Sequence, residues 1–272
     1  MASTPLRNRP APQHAMRIRA NVLPQAVFVV AASMLWLMAS GCSTRNIARL
    51  SRSATAPDTA VMVRQGRLIF YDTPRYASAY VGNKLSCNDC HLDGGTAAYA
   101  VPLIGVAGLF PRYSKRAGHS ISLQRRIQEC FTRSEAGASP PADSPQLEAL
   151  VAYIEWLSRH RRHGNASTRP LLVHLPALTG NPARGKAIYI SRCSACHGAN
   201  GAGLAPIIPP LWGRDSYNAG AGMNNPSKMA AFVVRNMPKG HPGILTPQQA
   251  YDIAAYVHSM PHPKLNPEYR KY

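Results

Sequence analysis

Acidic side chains are scarce in this chain of 272 residues: 12 Asp and Glu stand against 31 Lys and Arg, a formal charge of +19 at neutral pH. The first 41 residues contain none of the acids but do contain Arg7, Arg9, Arg17 and Arg19. No apolar run is long enough to span a bilayer. The longest, in VFVVAASMLWLMASGC, reaches about 15 residues where a membrane helix needs about 20. No nucleic-acid-binding motif stands out, so the basic excess speaks for other partners: small anions, acidic proteins or anionic headgroups.

A basic, acid-free front followed by a short apolar run reads as a signal peptide over residues 1–41, with Met16 giving more ordinary proportions as a start than Met1. The run ends at ASGC, which resembles the lipobox of bacterial lipoproteins. In that reading Cys42 is lipidated and becomes the mature N-terminus, and Ser43 after it suits sorting to the outer membrane. Cleavage nearer MAS would instead leave Cys42 as a free thiol. Either route exports the chain to the periplasm. The mature chain keeps 27 basic residues against 12 acidic.

Cysteine is also sparse, and four of the six are spoken for. They form CNDCH (Cys87, Cys90, His91) and CSACH (Cys193, Cys196, His197). In C-x-x-C-H the two thiols add to the haem vinyl groups and the adjacent histidine becomes an axial iron ligand. A thioredoxin-like redox pair or half of a zinc site would not require the histidine. Two copies therefore imply two covalently bound haem c groups, each with its iron. An exported haem protein without a recognition motif is also a poor candidate for nucleic-acid binding.

The halves around the motifs resemble each other. Each has a lead-in helix containing glycine (Gly66 in VRQGRLIFYD, Gly185 in PARGKAIYISR), then C-x-x-C-H, a glycine-rich loop, and a closing amphipathic helix. The closing helices PQLEALVAYIEWLS and PQQAYDIAAYVHSM share an AYI/AYV core. The fold class expected is all-α: two tandem, class I-like cytochrome c domains, at 61–163 and 183–264. A tether over 42–60, a linker over 164–182 and a tail over 265–272 complete the chain. His160, His163 and His174 fall in or near the linker and read as solvated.

The second axial ligand sets each haem's chemistry. In the second half Met237, in RNMPKG, lies 40 residues after His197 and just before the closing helix; Met223 and His241 are its competitors. The first half lacks methionine altogether between His91 and its closing helix. Cys130, in IQECFTRS, lies 39 residues after His91, close to the offset of Met237. Leu123, Ile127, Cys130 and Phe131 share a helical face, while Arg126, Arg133 and Ser134 stand at i−4, i+3 and i+4 from the cysteine. Positive charge there favours thiolate, the form that binds iron. A merely structural cysteine, with His119 as the ligand, is the alternative.

LSCNDCHLDGGT, the block FPRYSKRAGHSISLQRRIQECFTRS, GRDSYNAGAGM and AAYVHSMP together resemble the dihaem thiosulfate dehydrogenases. The resemblance implies His and Cys axial ligation of the first haem. It also implies a site beside Cys130 lined by Arg116, Arg126, Arg133 and Ser134. The implied reaction joins two thiosulfates into tetrathionate, with electrons passing from the first haem to the second and on to an acceptor such as a cytochrome c. Some members carry Lys before the methionine ligand and exchange ligands on reduction; Asn236 here argues against that exchange. The rival functions are a SoxA-type cytochrome that joins thiosulfate to a carrier protein, and a non-enzymatic, membrane-anchored dihaem electron carrier.

Overall fold

The computed structural model describes residues 58–159 and 171–270. The leader, Cys42, most of the tether, His160 and His163 lie outside these residues.

Six helices of eleven residues or more carry the described fold: α1 (Thr59–Tyr71), α2 (Leu123–Arg133), α3 (Pro145–Arg159), α4 (Pro182–Arg192), α5 (Pro226–Asn236) and α6 (Pro247–His258). Their starts are written in the sequence. Asn181, Asn225 and Thr246 each precede a proline at the first helical position and accept a backbone N–H from one turn in. Ser122 caps α2 without a following proline, accepting from Arg125 N at 3.1 Å. Such caps satisfy donors that the helix itself cannot, typically worth about 1 kcal/mol each.

In the first half α1 packs on α3, and in the second α4 packs on α6. The repeat extends to single residues. A Cβ on Gly66 would overlap the carbonyl oxygen of Ala149 and crowd Tyr153, while a Cβ on Gly185 would overlap that of Asp252 and crowd Tyr256. The two tyrosines are those of AYI and AYV, so each lead-in helix crosses its closing helix at glycine in the same way.

Phe70 of α1, Ile127 and Phe131 of α2, and Leu147, Leu150 and Ile154 of α3 form the first core. Met229, Ala230 and Val234 of α5 with Tyr251, Ile253, Ala254 and Val257 of α6 form the second, which also takes in Leu85 from the first half. A third, small cluster joins Leu92 and Ala100 to Phe232 across the halves. Each large side chain so buried contributes about 1.5–3 kcal/mol.

One element departs from an all-helical reading. Arg112–Ser114 (β1) and His119–Ile121 (β2) pair antiparallel, with Arg112 opposite Ile121 and Ser114 opposite His119. Gly118 supplies the left-handed turn residue (φ 74°). The linker residues 171–181 form no helix, and His174 is exposed there. They touch both halves: Leu171 O accepts from Val101 N at 2.8 Å and Thr179 O from Gln248 Nε2 at 2.9 Å.

Candidate functional site

Ser86 and Asp89 cap the helical turn Cys87–Cys90 reciprocally, the Asp89 carboxylate accepting from Ser86 N at 2.8 Å. That turn delivers His91, whose Nδ1–H donates to Val101 O at 2.7 Å. In the second motif His197 Nδ1–H donates to Pro209 O at 3.0 Å. Carbonyl oxygens only accept, so both rings carry the proton on Nδ1 and keep the Nε2 lone pair for a metal. Burial pushes His91 down to about 4 and lowers His197 as well, which keeps both imidazoles neutral. Burial also raises the thiols of Cys87 and Cys90, and that of Cys193 to about 11.

A cavity of about 230 Å³ opens onto the second motif. Cys193, Cys196 and His197 line it, Met223 and Met237 face it from the second half, and Cys90 and Leu85 reach it from the first. Tyr217 lines it too, 5% exposed, and its hydroxyl has no protein partner. An apolar cavity with two thiols, a neutral imidazole, thioethers and an unpaired hydroxyl suits a haem, whose plane is apolar and whose propionates need donors. His241 is exposed, off the cavity lining.

Cys130 lies on α2, half-buried, and Arg126 Nη1 donates to its Sγ at 3.3 Å. The Cys130 charge is the main cause that raises Arg126, and it also raises Cys87 and Cys90 in part. Arg126 in turn helps to lower His91. The sulfur, the guanidinium and the first motif therefore share one neighbourhood. The Arg126 side chain is 48% exposed.

The other positions fall differently. Arg133 is 5% exposed, its Nη2 donating to Tyr269 O at 3.2 Å and its Nε without a partner. Arg116 sits exposed in the turn of the hairpin, close enough that its charge lowers Arg133 after burial has done so. Ser134 caps α2, and its backbone carbonyl accepts from Asn83 Nδ2 at 2.7 Å. His119 is exposed on β2.

Two buried acids belong to this neighbourhood. Glu129, 5% exposed, places Oε2 3.7 Å from Arg126 Nη1 and leaves Oε1 without a partner. Glu135, 2% exposed, is raised by burial and acts on Cys87 and Cys90. Only Glu129 had a local signal, its i+3 spacing from Arg126.

Both halves of the chain resemble known proteins. A family profile described as SoxA/TsdA, cytochrome c domain, matches residues 75–162, and one described as cytochrome c matches 182–261. The thiosulfate dehydrogenase of Stutzerimonas stutzeri is 41% identical over 209 residues, covering 75% of this chain and 68% of that protein. That of Allochromatium vinosum is 37% identical over 250 residues, covering 84% and 91%. Among solved structures, thiosulfate dehydrogenase (TsdBA) from Marichromatium purpuratum, in its as-isolated form, superposes with a TM-score of 0.67 at 36% identity. That match covers 76% of this chain and 48% of the other, so this chain spans about half of that protein's length. With one C-x-x-C-H in each matched domain, the chain carries two covalent haem c groups, on Cys87 and Cys90 and on Cys193 and Cys196.

Proposed function

The chain belongs to the thiosulfate dehydrogenase family of cytochromes c, and from that premise we propose that it couples two thiosulfate ions oxidatively to tetrathionate. One bond forms between the two outer sulfur atoms, and two electrons leave. When bound, the haems supply two one-electron acceptors, which an external redox protein such as a cytochrome c then drains. His91 and Cys130 would hold the iron of the first haem, and His197 and Met237 that of the second.

The observation that carries this reading is the Arg126 guanidinium donating to Cys130 Sγ at 3.3 Å beside the first motif. Two dianions brought to about 6 Å repel by on the order of 10 kcal/mol at an effective dielectric of about 20. Fixed cations offset that repulsion without having to reorganise. Arg126 Nη1 carries the contacts to Cys130 and Glu129, leaving the rest of its fork for an anion. Arg116 and the buried Arg133 add to the positive field from the hairpin and the end of α2. Ser134 marks the C-terminal boundary of this patch. A carrier without an enzymatic role would need no such cation against its sulfur.

The leader supports export to the periplasm with an outer-membrane lipid anchor on Cys42; each buried acyl methylene contributes about 0.8 kcal/mol, so several chains hold firmly. Among the described residues no helix is long and apolar enough to cross a membrane. Cys42→Ala should release the protein from the membrane fraction, and unchanged association would reject the anchor.

The reaction is tested by Cys130→Gly. The variant should retain both haems by intact mass and lose nearly all tetrathionate formation; production at the wild-type rate would reject the assignment.

A further inference from the structure

Residues 99–101 hold a constrained backbone near the first haem motif. Tyr99 and Val101 sit in the left-handed region, with φ of 62° and 49°. Residues with a Cβ adopt it rarely, and β-branched valine least of all, unless the surroundings impose it. Yet this segment supplies the Val101 carbonyl that accepts from His91 Nδ1.

The groups that hold the segment come from beyond the first domain. Asn236, the last residue of α5, donates from Nδ2 to Tyr99 O at 3.0 Å and to Phe232 O at 2.9 Å. The Arg235 guanidinium lies over the Tyr99 ring, 5.0 Å from its centroid. Val101 N donates to Leu171 O at 2.8 Å. Ala100, fully buried between them, packs with Leu92 and Phe232 in the cluster that Met237 borders.

The chemistry at this point selects asparagine. Two carbonyl oxygens converge on one nitrogen, and an amide NH₂ offers two N–H donors from a single uncharged atom. A carboxylate of the same shape would face both carbonyls with acceptors only.

We propose that Asn236 is a positioning residue for the first haem: by holding Tyr99 it sets residues 99–101, and so the hydrogen bond and ring orientation of His91. The partner that orients a ligating imidazole tunes the metal it binds. Asn236 is covalently joined to Met237, so a short chain of contacts runs from the ligand loop of the second haem to the proximal histidine of the first. A shift of the Met237 loop would thereby reach His91 through these same contacts. This inference rests on the reading of His91 and Met237 as iron ligands.

The test uses the intact holoprotein and reads each haem separately. The first is followed by the paramagnetic resonance signal of a thiolate-ligated ferric haem, the second by its weak long-wavelength sulfur-to-iron band, and both by redox titration. Asn236→Ala and Asn236→Asp should each shift the signal and the midpoint potential of the first haem, the Asp variant at least as far as the Ala variant. Arg235→Ala, at an exposed position, should shift them the same way by less. Variants that alter only the second haem, or neither, overturn the proposal. If the Asn236 variants fail to accumulate, Arg235→Ala decides: an unmoved first haem overturns it. A wild-type first haem without a thiolate signal would fail the ligand reading of Cys130 instead, and the shift of the first haem's potential would still judge Asn236.

Discussion

Replacing Arg126 tests the active-site reading at the point where structure and chemistry meet. An arginine about 4 Å from one unit of charge gains about 4 kcal/mol at an effective dielectric of 20. With 48% of its side chain exposed, solvent screens much of that, and a charge-assisted hydrogen bond of about 1.5–3 kcal/mol is the fitting scale. Arg126→Ala should then lower kcat/KM for thiosulfate by roughly 10- to 150-fold. The substitution also removes the ion-pair partner of Glu129, 5% exposed, and weakening the support of a buried acid costs stability for reasons unrelated to thiosulfate. Arg126→Ala combined with Glu129→Gln separates the two effects. The double variant should recover thermal stability and stay defective in kcat/KM. Steady-state rates over a range of thiosulfate concentrations, beside a melting curve, give both quantities. A double variant with wild-type kcat/KM would refute the role of Arg126; one that regains activity along with stability would show the residue to be structural.

Met237→Gly should remove the long-wavelength sulfur-to-iron band while leaving both haems attached, and loss of the band in Met223→Gly alone would assign the other methionine that lines the cavity. Gly185→Ala should destabilise by about 1–3 kcal/mol, because the new Cβ meets the Asp252 carbonyl rather than a yielding side chain; denaturant unfolding with an unchanged midpoint would contradict the close crossing of α4 and α6. Asp252, 2% exposed, is held below its ordinary 3.8 chiefly by the hydrogen bonds of Arg184, at 2.7 and 2.8 Å. A depressed carboxylate adds stability above its unfolded pKa, and that stability is lost as pH falls through the native value. Asp252→Asn should therefore be less stable than wild type near neutrality and lose less on acidification below about pH 4; parallel melting-temperature profiles would refute it.

Local signals made part of this molecule readable. The C-x-x-C-H motifs, the capped helix starts and the glycines of the lead-in helices are encoded within a few residues, so their elements follow from propensity and capping. Cys130 stood out because the first half has no methionine where the second has Met237. Other features depend on residues far apart in sequence. Arg133 read as a charge flanking Cys130 and lining its site, but residues 267–270 return to it and Tyr269 O takes its guanidinium. Nothing local marks Glu129 and Glu135 as buried, since carboxylates are seldom found inside, and only the packing around α2 shows them there. Strands of three residues, as in β1 and β2, are too short for a period of two to register. The clasp of Asn236 on Tyr99 spans 137 positions, and no local pattern announces it.

If this chain itself oxidises thiosulfate to tetrathionate, the purified dihaem protein suffices for the reaction. The most direct measurement mixes purified dihaem protein with thiosulfate and an excess of a competent electron acceptor, and counts tetrathionate formed against electrons delivered. The account predicts one tetrathionate for every two electrons, with two thiosulfates consumed. Haem reduction without tetrathionate, or no reduction at all, would contradict it.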